Sequence, residues 1–457
     1  FLVERVIGGN VYKEGDELVF ECTITNASTK KVIHGLPTVR CSIDDPMQGI
    51  DELKQLLLGA LASEEDKDRN LLLETSTPKF EAYKELELAK AADDDDRELF
   101  HLNRAIAIDS TYFEALVLRL SHYYNEDEYA FADSLMEEIN LRLLNMDPRQ
   151  RNLMNFYDAL LKGRNNLIFK HLNDELRLAP FDLITNTSMV VLGLQFTNEV
   201  QKALAIYQEI PEQDLDYSNC SRCRTRLYLK MQIDLEQGNP DQAIESGQTL
   251  VKNGGWDLAY KLMVRAYVRT GNWEKVEQLG QVIPSGSTAE DPANHALTIA
   301  KECLLIDDNE HATHYVQVAL SQINPKTTEI TRGEILLLSG DHDGAADVFS
   351  ELVGADSLNF TGWSYLAATK FNTNDQEQGS SIVQWLDQQK GPFQFGEIDY
   401  LVARALMIGG QSEAVIPRLR RSVEQGRLYQ FHFFHNDFVF APIHQDTEFV
   451  DLLEYWH

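Results

Sequence analysis

Three clusters in this 457-residue sequence carry side chains able to do chemistry. Cys220-Ser221-Arg222-Cys223 places two thiols three residues apart at a helix start. That spacing suits a shared metal, a redox disulfide or a thiol of lowered pKa. A zinc site would need a second pair of ligands, and none stands at useful spacing nearby. A thioredoxin-like site would need a βαβ context, whereas the surroundings read as helical hairpins. The plainer reading is two small apolar side chains or a local loop disulfide. Asp93-Asp94-Asp95-Asp96 lacks the alternating oxygen ligands, central Gly and distal Glu of a calcium loop, and reads instead as a solvated capping turn before a helix. His432, His435 and His444 cluster with Asp437 and Asp446, a set that suits a metal. Their neighbours Phe431, Phe433, Phe434, Phe438 and Phe440 favour a packed cap instead. No GxSxG, HExxH, P-loop or Gly-rich dinucleotide fingerprint occurs, and no carboxylate pair stands out as an acid–base couple. The residues specify neither a catalytic group, a metal nor a cofactor.

The elements that would position these groups are short paired helices. Trp256 to Gln281 reads as two helices joined at Thr270-Gly271-Asn272, with Ala259, Leu262, Met263 and Ala266 on one apolar stripe and Trp273, Val276 and Leu279 on the other. One such hairpin leaves its stripe uncovered, so neighbours must stack on it. The first-turn apolar or small residue of each second helix recurs at Ala203, Ala243, Val276, Ala312, Ala345, Gly379 and Ala414, at intervals of 40, 33, 36, 33, 34 and 35 residues. The turns Gly238-Asn239-Pro240-Asp241, Gly271-Asn272, Gly340-Asp341 and Gly409-Gly410 end one helix and cap the next. A helix-turn-helix unit repeating every ~34 residues has the tetratricopeptide period. The residues resemble the degenerate end of that family: small residues and aromatics fall in register, but the full consensus is never spelled out.

Helical pairs are expected from Phe80 onward: Phe80–Leu88 with Leu99–Ile108, Tyr112–Tyr124 with Tyr129–Leu144, and Arg149–Leu161 with Asn166–Leu178. Two stretches break the period, Pro211–Asn219 and Ile283–Ala293, and read as longer loops on one face. Residues 1–62 differ in kind. Val6–Tyr12, the alternating run Leu18, Phe20, Cys22, Ile24, and Lys31–Ile33 read as three antiparallel strands. Asp44-Asp45-Pro46 then start a helix with an apolar face of Met47, Ile50, Leu53, Leu57 and Leu61. So thin a core suggests that part of the domain lies upstream. The expected fold is mainly α: a right-handed tetratricopeptide-like solenoid after a small α+β piece. Its divisions are 1–62, a linker 63–77, repeats 78–430 and a capping segment 431–457.

A formal charge of −31 repels phosphate backbones and anionic lipid, so nucleic acid is not an expected partner of this segment. Solubility of a long surface explains the charge, with a basic partner as the sharper alternative. Ordinary hydrophobic content, 43%, argues against sustained disorder. The longest apolar run, around Met189 to Phe196, is too short to span a bilayer. Five cysteines are too few and scattered for a disulfide framework and leave the redox compartment open.

The run from Gly8 to Leu36, followed by Asp44 to Ala62, resembles the second half of the TolB amino-terminal-like domain. Gly15-Asp16, Phe20, Ile24 and Gly59-Ala60-Leu61 occupy the family's turn, strand and helix-end positions. Asp437–Ile443 with Phe449 and Leu452-Leu453 looks like the closing helix of arrays that follow such domains. The resemblance implies the extracytoplasmic, periplasmic half of a bacterial membrane-anchored signalling regulator, with a cytoplasmic location as the alternative. The effector and membrane helix of that family are not in this sequence, which opens with Phe1 and reads as a piece of something longer. The expected function is non-enzymatic binding of a protein or peptide on the first helices of mid-array pairs, through Tyr228, Lys230, Tyr260, Arg265, Tyr267 and Arg269. The alternative is a self-associating structural module, a homodimer paired through the N-terminal strands.

Overall fold

The computed structural model describes residues 4–65, 78–144, 146–178, 180–282 and 291–455. Most of the expected linker 63–77, and residues 283–290 of the expected Ile283–Ala293 loop, lie outside them. The chain forms two compact units, residues 1–161 and 162–457.

The first unit begins with strands β1 (Arg5–Glu14), β2 (Glu17–Asn26), β3 (Val32–Gly35) and β4 (Val39–Ser42), all antiparallel. β2 is central. β1 pairs along its whole length, while β3 and β4 share its other edge. β4 is a fourth strand that the sequence reading did not contain; Val39-Arg40-Cys41-Ser42 alternates buried and exposed residues over only two repeats. Alternation on β2 buries Phe20, Cys22 and Ile24 under α1 (Pro46–Glu65). The expected face of α1 holds in its later turns, where Leu53, Leu57 and Leu61 pack against the core beside buried Leu56 and Ala60, but not at its start, where Met47 and Ile50 are 58% and 43% exposed. Gly49 lets this first turn approach β4 closely, because a β-carbon there would lie 2.6 Å from the Cys41 sulfur. β1 keeps little cover: Val6, Ile7, Val11 and Tyr12 are all exposed.

Helices α2 (Phe80–Lys90), α3 (Asp95–Ile108), α4 (Phe113–Asn125), α5 (Tyr129–Arg142) and α6 (Pro148–Leu161) complete the first unit. The Gln55 side chain of α1 accepts from the Glu81 amide at the start of α2 (3.2 Å), joining sheet and helices. Asp94 caps α3 by accepting from the Arg97 amide at 2.8 Å, so the aspartate run does act as a capping turn.

The second unit holds α7 (Asn165–Leu178), α8 (Leu183–Val191) and α9 (Val200–Gln208), then six hairpins. They are α10 (Ser221–Glu236) with α11 (Pro240–Lys252), α12 (Trp256–Arg269) with α13 (Trp273–Val282), and α14 (Pro292–Leu305) with α15 (Asn309–Ser321). Next come α16 (Glu329–Ser339) with α17 (His342–Ala355), α18 (Phe360–Asn372) with α19 (Gln376–Gln388), and α20 (Glu397–Ile408) with α21 (Val415–Glu424). The final helix is α22 (Thr447–Leu453). α8 runs into a π-helical turn at Leu192–Phe196, within the apolar run around Met189 to Phe196, packed through Gly193 against Ala203.

One turn closes all six of these hairpins. A left-handed residue (Gly238, Gly271, Asp307, Gly340, Asn374 or Gly410) follows the first helix. The next amide then reaches back to a carbonyl five residues earlier, as in Asn239 to Asp234 at 2.8 Å and Asp341 to Leu336 at 3.0 Å. Asp308, Asp341 and Asp375 go on to cap the second helix. Stacked hairpins bury Ala243, Val276, Ala312 and Ala345. At Gly379 a β-carbon would lie 2.6 Å from the Phe371 ring, so glycine permits the contact. Ala414 is exposed in a 3₁₀ turn, and Val415 takes its expected place in the core. The fold is a tetratricopeptide-like helical array behind a small antiparallel sheet.

The second unit also closes on itself. Past α21 the chain returns across the first-helix face, and Gly426 meets Gly163 so closely that a β-carbon on Gly426 would lie 2.4 Å from the Gly163 Cα. Asn165 donates to the Gly426 carbonyl (3.3 Å), and Asn198 to that of Leu453 (3.3 Å). The expected solenoid is thus, in this unit, an array whose two ends are bridged.

Candidate functional site

The first helix of each pair in the second unit faces residues 427–446 of the same chain. This segment is built of 3₁₀ turns at Phe434–Asn436 and Phe438–Ile443, and the rest of the unit bonds its main chain at Tyr429, Phe431 and Phe434. Arg265 on α12 donates to the Phe431 carbonyl (3.3 Å) and to His432 Nδ1 (2.6 Å). Glu236 at the end of α10 accepts from Asn436 and meets His435 Nε2 at 2.7 Å. On α20 the Tyr400 hydroxyl accepts from the Phe434 amide (3.1 Å) and donates to Asp437 (2.8 Å). Arg404, one turn on, pairs with the same carboxylate at 2.8 Å.

Behind these contacts runs a ladder of charges between successive first helices. Glu302 on α14 pairs with Arg265 (3.2 Å) and Arg269 (2.6 Å) of α12. Glu334 on α16 pairs with Lys301 of α14 at 2.7 Å and accepts from the Tyr365 hydroxyl of α18. Arg404 in turn donates to that hydroxyl at 3.0 Å. Burial alone would raise the Glu334 pKa, but Lys301 and Arg404 beside it hold it below the usual carboxylate range. Burial opposes the Arg404 charge, yet Asp437 and the neighbouring tyrosines keep its pKa well above normal. Between this ladder and the returning segment lies a cavity of about 410 Å³.

The six residues expected to bind a partner divide by position. Arg265 and Arg269 are held in the charge ladder, Arg265 touching the returning segment directly. Lys230 pairs with Asp234 on its own helix. Tyr260 and Tyr267 are buried at 6% and 5% exposure, the Tyr260 hydroxyl against His295. Tyr228 is partly buried against the same core. The sequence reading did not contain Glu302, Glu334, Tyr365, Tyr400, Arg404 or Arg427. A carboxylate set in an apolar stripe, as Glu302 is between Ile299 and Cys303, was the signal that could have found them.

The other two clusters of reactive residue types, the cysteines and the histidines, also have places. Cys220 and Cys223 form a disulfide at the start of α10. His432 and His435 serve Arg265 and Glu236, and His444 stacks on Phe449. No group of three or more metal-ligating side chains occurs among the described residues. Nor is any helix among them long and apolar enough to cross a membrane.

No family model and no curated protein matches the chain. Solved structures resemble it loosely. A tetratricopeptide repeat protein from Parabacteroides merdae is 13% identical with a TM-score of 0.32, over 67% of this chain and 98% of that one. Yeast Tom70 is 12% identical with a TM-score of 0.30, over 83% and 99%. A complex of Naa15/Naa10 bound to HypK gives 12% and 0.27, over 91% and 79%. The class rests on the chain's own geometry: six hairpins with one turn type make it a tetratricopeptide-like array.

Proposed function

We propose that this chain is a non-enzymatic scaffold that binds a polypeptide segment of a protein partner on the first-helix face of its second unit. One observation carries the reading: that face already accommodates an irregular stretch of polypeptide, residues 427–446, through side-chain bonds to its main chain at Phe431 and Phe434. A partner segment would take the same donors, in exchange with the chain's own segment. The charge of −31 favours a basic partner through faster encounter.

The test loosens the segment without touching the face. In a Phe431→Ala/Asp437→Asn double variant, a fluorescent peptide of residues 427–446 should bind saturably, read by anisotropy. The unaltered chain should bind it far more weakly, because its tethered copy competes at millimolar effective concentration. A helical variant that ignores the peptide removes the reading.

The biological setting is proposed from the resemblance at Gly15-Asp16, Phe20, Ile24 and Gly59-Ala60-Leu61. It supports the extracytoplasmic region of a bacterial transmembrane signalling regulator. A phosphatase fused to the complete coding sequence at this region should be active in the periplasm; activity of a cytoplasmic reporter instead would refute that setting.

A second reading, self-association, is favoured by β1. Its ten residues form an edge with Val6 and Val11 at 50% and 61% exposure, which invites pairing with another strand. Light scattering decides it: a strict monomer at high concentration excludes the dimer.

A further inference from the structure

The cavity between the charge ladder and the returning segment has one cation too many. Five basic side chains line it, Lys261, Arg265, Lys301, Arg404 and Arg427, against the four carboxylates Glu302, Glu334, Glu397 and Asp437. In a chain of net charge −31, a cavity with a positive balance is a local inversion. Three of the cations are matched on the wall itself: Arg265 with Glu302, Lys301 with Glu334, and Arg404 with Asp437.

Arg427 is different. Its buried Nε, like those of Arg265 and Arg404, has no hydrogen-bond partner, but unlike theirs its guanidinium forms no ion pair with a carboxylate among the described residues. The guanidinium lies over the rings of Phe433 (4.4 Å) and Tyr400 (5.2 Å), which fix its plane while supplying no counter-charge. Burial pushes its pKa down, the mark of a cation short of negative charge, and Glu397 only partly offsets this. A planar donor fork held against aromatic rings and left without an acceptor suits a planar or tetrahedral oxyanion.

The cavity also has an apolar annexe. A smaller chamber of about 130 Å³, bounded by Leu337, Leu338 and Ile408, shares Glu334, Tyr365 and Phe438 with the main one. Together they have the volume and the mixed lining of a small-molecule pocket.

We infer that this cavity is a binding site for a small organic anion, a carboxylate or phosphate ester, whose charged group sits on Arg427 and whose apolar end points to the annexe. The ligand would touch both the array and the returning segment, since Arg427, Phe433 and Phe438 belong to the segment. It therefore locks the segment in place, and peptide exchange on that face becomes ligand-dependent.

The test uses the full chain, with phenyl phosphate, hexanoate and inorganic phosphate as probes at constant ionic strength against chloride. Calorimetry should give saturable binding of phenyl phosphate or hexanoate, with inorganic phosphate weaker for lack of an apolar end. The better binder tells phosphate ester from carboxylate. Arg427→Gln should weaken binding at least tenfold, and Arg427→Lys, which keeps the charge but loses the planar fork, should recover only part of it. Thr361→Trp, which fills the cavity from α18 and leaves Arg427 in place, should abolish it; this variant decides the matter if Arg427→Gln fails to fold. Hydrogen exchange in residues 427–438 should slow on binding. Absence of saturable binding by all three probes overturns the inference, as does equal affinity in a folded Arg427→Gln or Thr361→Trp variant. Neither result touches the peptide-binding test, which needs no small ligand.

Discussion

Asp399 on α20 is wholly buried, and four donors converge on its carboxylate: Lys390 at 2.7 Å, Arg418 at 3.0 Å, Gln425 at 3.1 Å and Arg421 at 3.2 Å. Burial would raise its pKa, but the bonds from Lys390 and Arg418 keep it low. Removing one side of such a network strands the other, so Asp399→Ala should cost about 3–5 kcal/mol in urea unfolding. Asp399→Asn, which keeps one acceptor, should cost less; equal losses would mean that packing, not charge, governs the site. Nothing in the sequence singled out Asp399, because its partners come from α21, the residue after it and the loop before α20, which no local pattern joins to it.

Turns and segments set the next scale. Gly340 and Gly410 occupy the left-handed position of their hairpins with φ of 87° and 73°, and open space surrounds the absent β-carbon of each. Alanine at either should therefore cost only the backbone term, roughly 1–2 kcal/mol, measured by chemical denaturation. A negligible loss would show that the hairpin can relax its turn. These turns were legible in advance, because Gly-Asn, Gly-Asp and Gly-Gly sit between apolar-periodic runs at a constant interval. Asp307 and Asn374 fill the same position and passed unnoticed, since neither residue type demands it. The returning segment was legible only in part. Its aromatics announced a packed cap, and Phe434 and Phe440 are indeed fully buried. That the cap lies across the first-helix face, using Arg265 and Glu236, follows from closure of the array and not from any local pattern.

At the scale of the second unit, closure runs through two glycines. Gly426 has φ of 97°, and a β-carbon there would collide with the Gly163 backbone. Gly426→Ala should destabilise by about 2–4 kcal/mol, strain and overpacking combined, well beyond the cost at Gly340. Similar costs at both positions would mean that the ends are not held together in solution. Acid should also loosen this unit. His295, against the Tyr260 hydroxyl, has its pKa lowered to about 4 by burial, and His432, beside Arg265, to about 3. Between the unfolded value near 6.5 and these folded values the unfolded chain binds more protons, so stability falls as pH drops through that window. His295 alone contributes a slope of up to ~1.4 kcal/mol per pH unit there. Denaturant midpoints of His295→Gln and the unaltered chain at pH 7 and pH 5 isolate it; parallel shifts in both would assign the loss elsewhere.

Periodicity, turn chemistry and charge balance by themselves determined the helical array, its interval, the strands around Phe20 and Ile24, and the acidic surface, because each depends on neighbours within a few tens of residues. They left open what the first-helix face meets. Tyr260, Arg265 and Tyr267 share one helix, and only packing separates the two buried rings from the guanidinium that grips residues 431 and 432. The meeting of Gly163 with Gly426 likewise rests on curvature accumulated over six hairpins, whereas the pairing of Arg404 with Asp437 and the unmatched charge of Arg427 rest on the path of the returning segment across α20. A rotation of a few degrees per hairpin leaves no mark on any single stretch of sequence, yet its sum decides which distant residues touch.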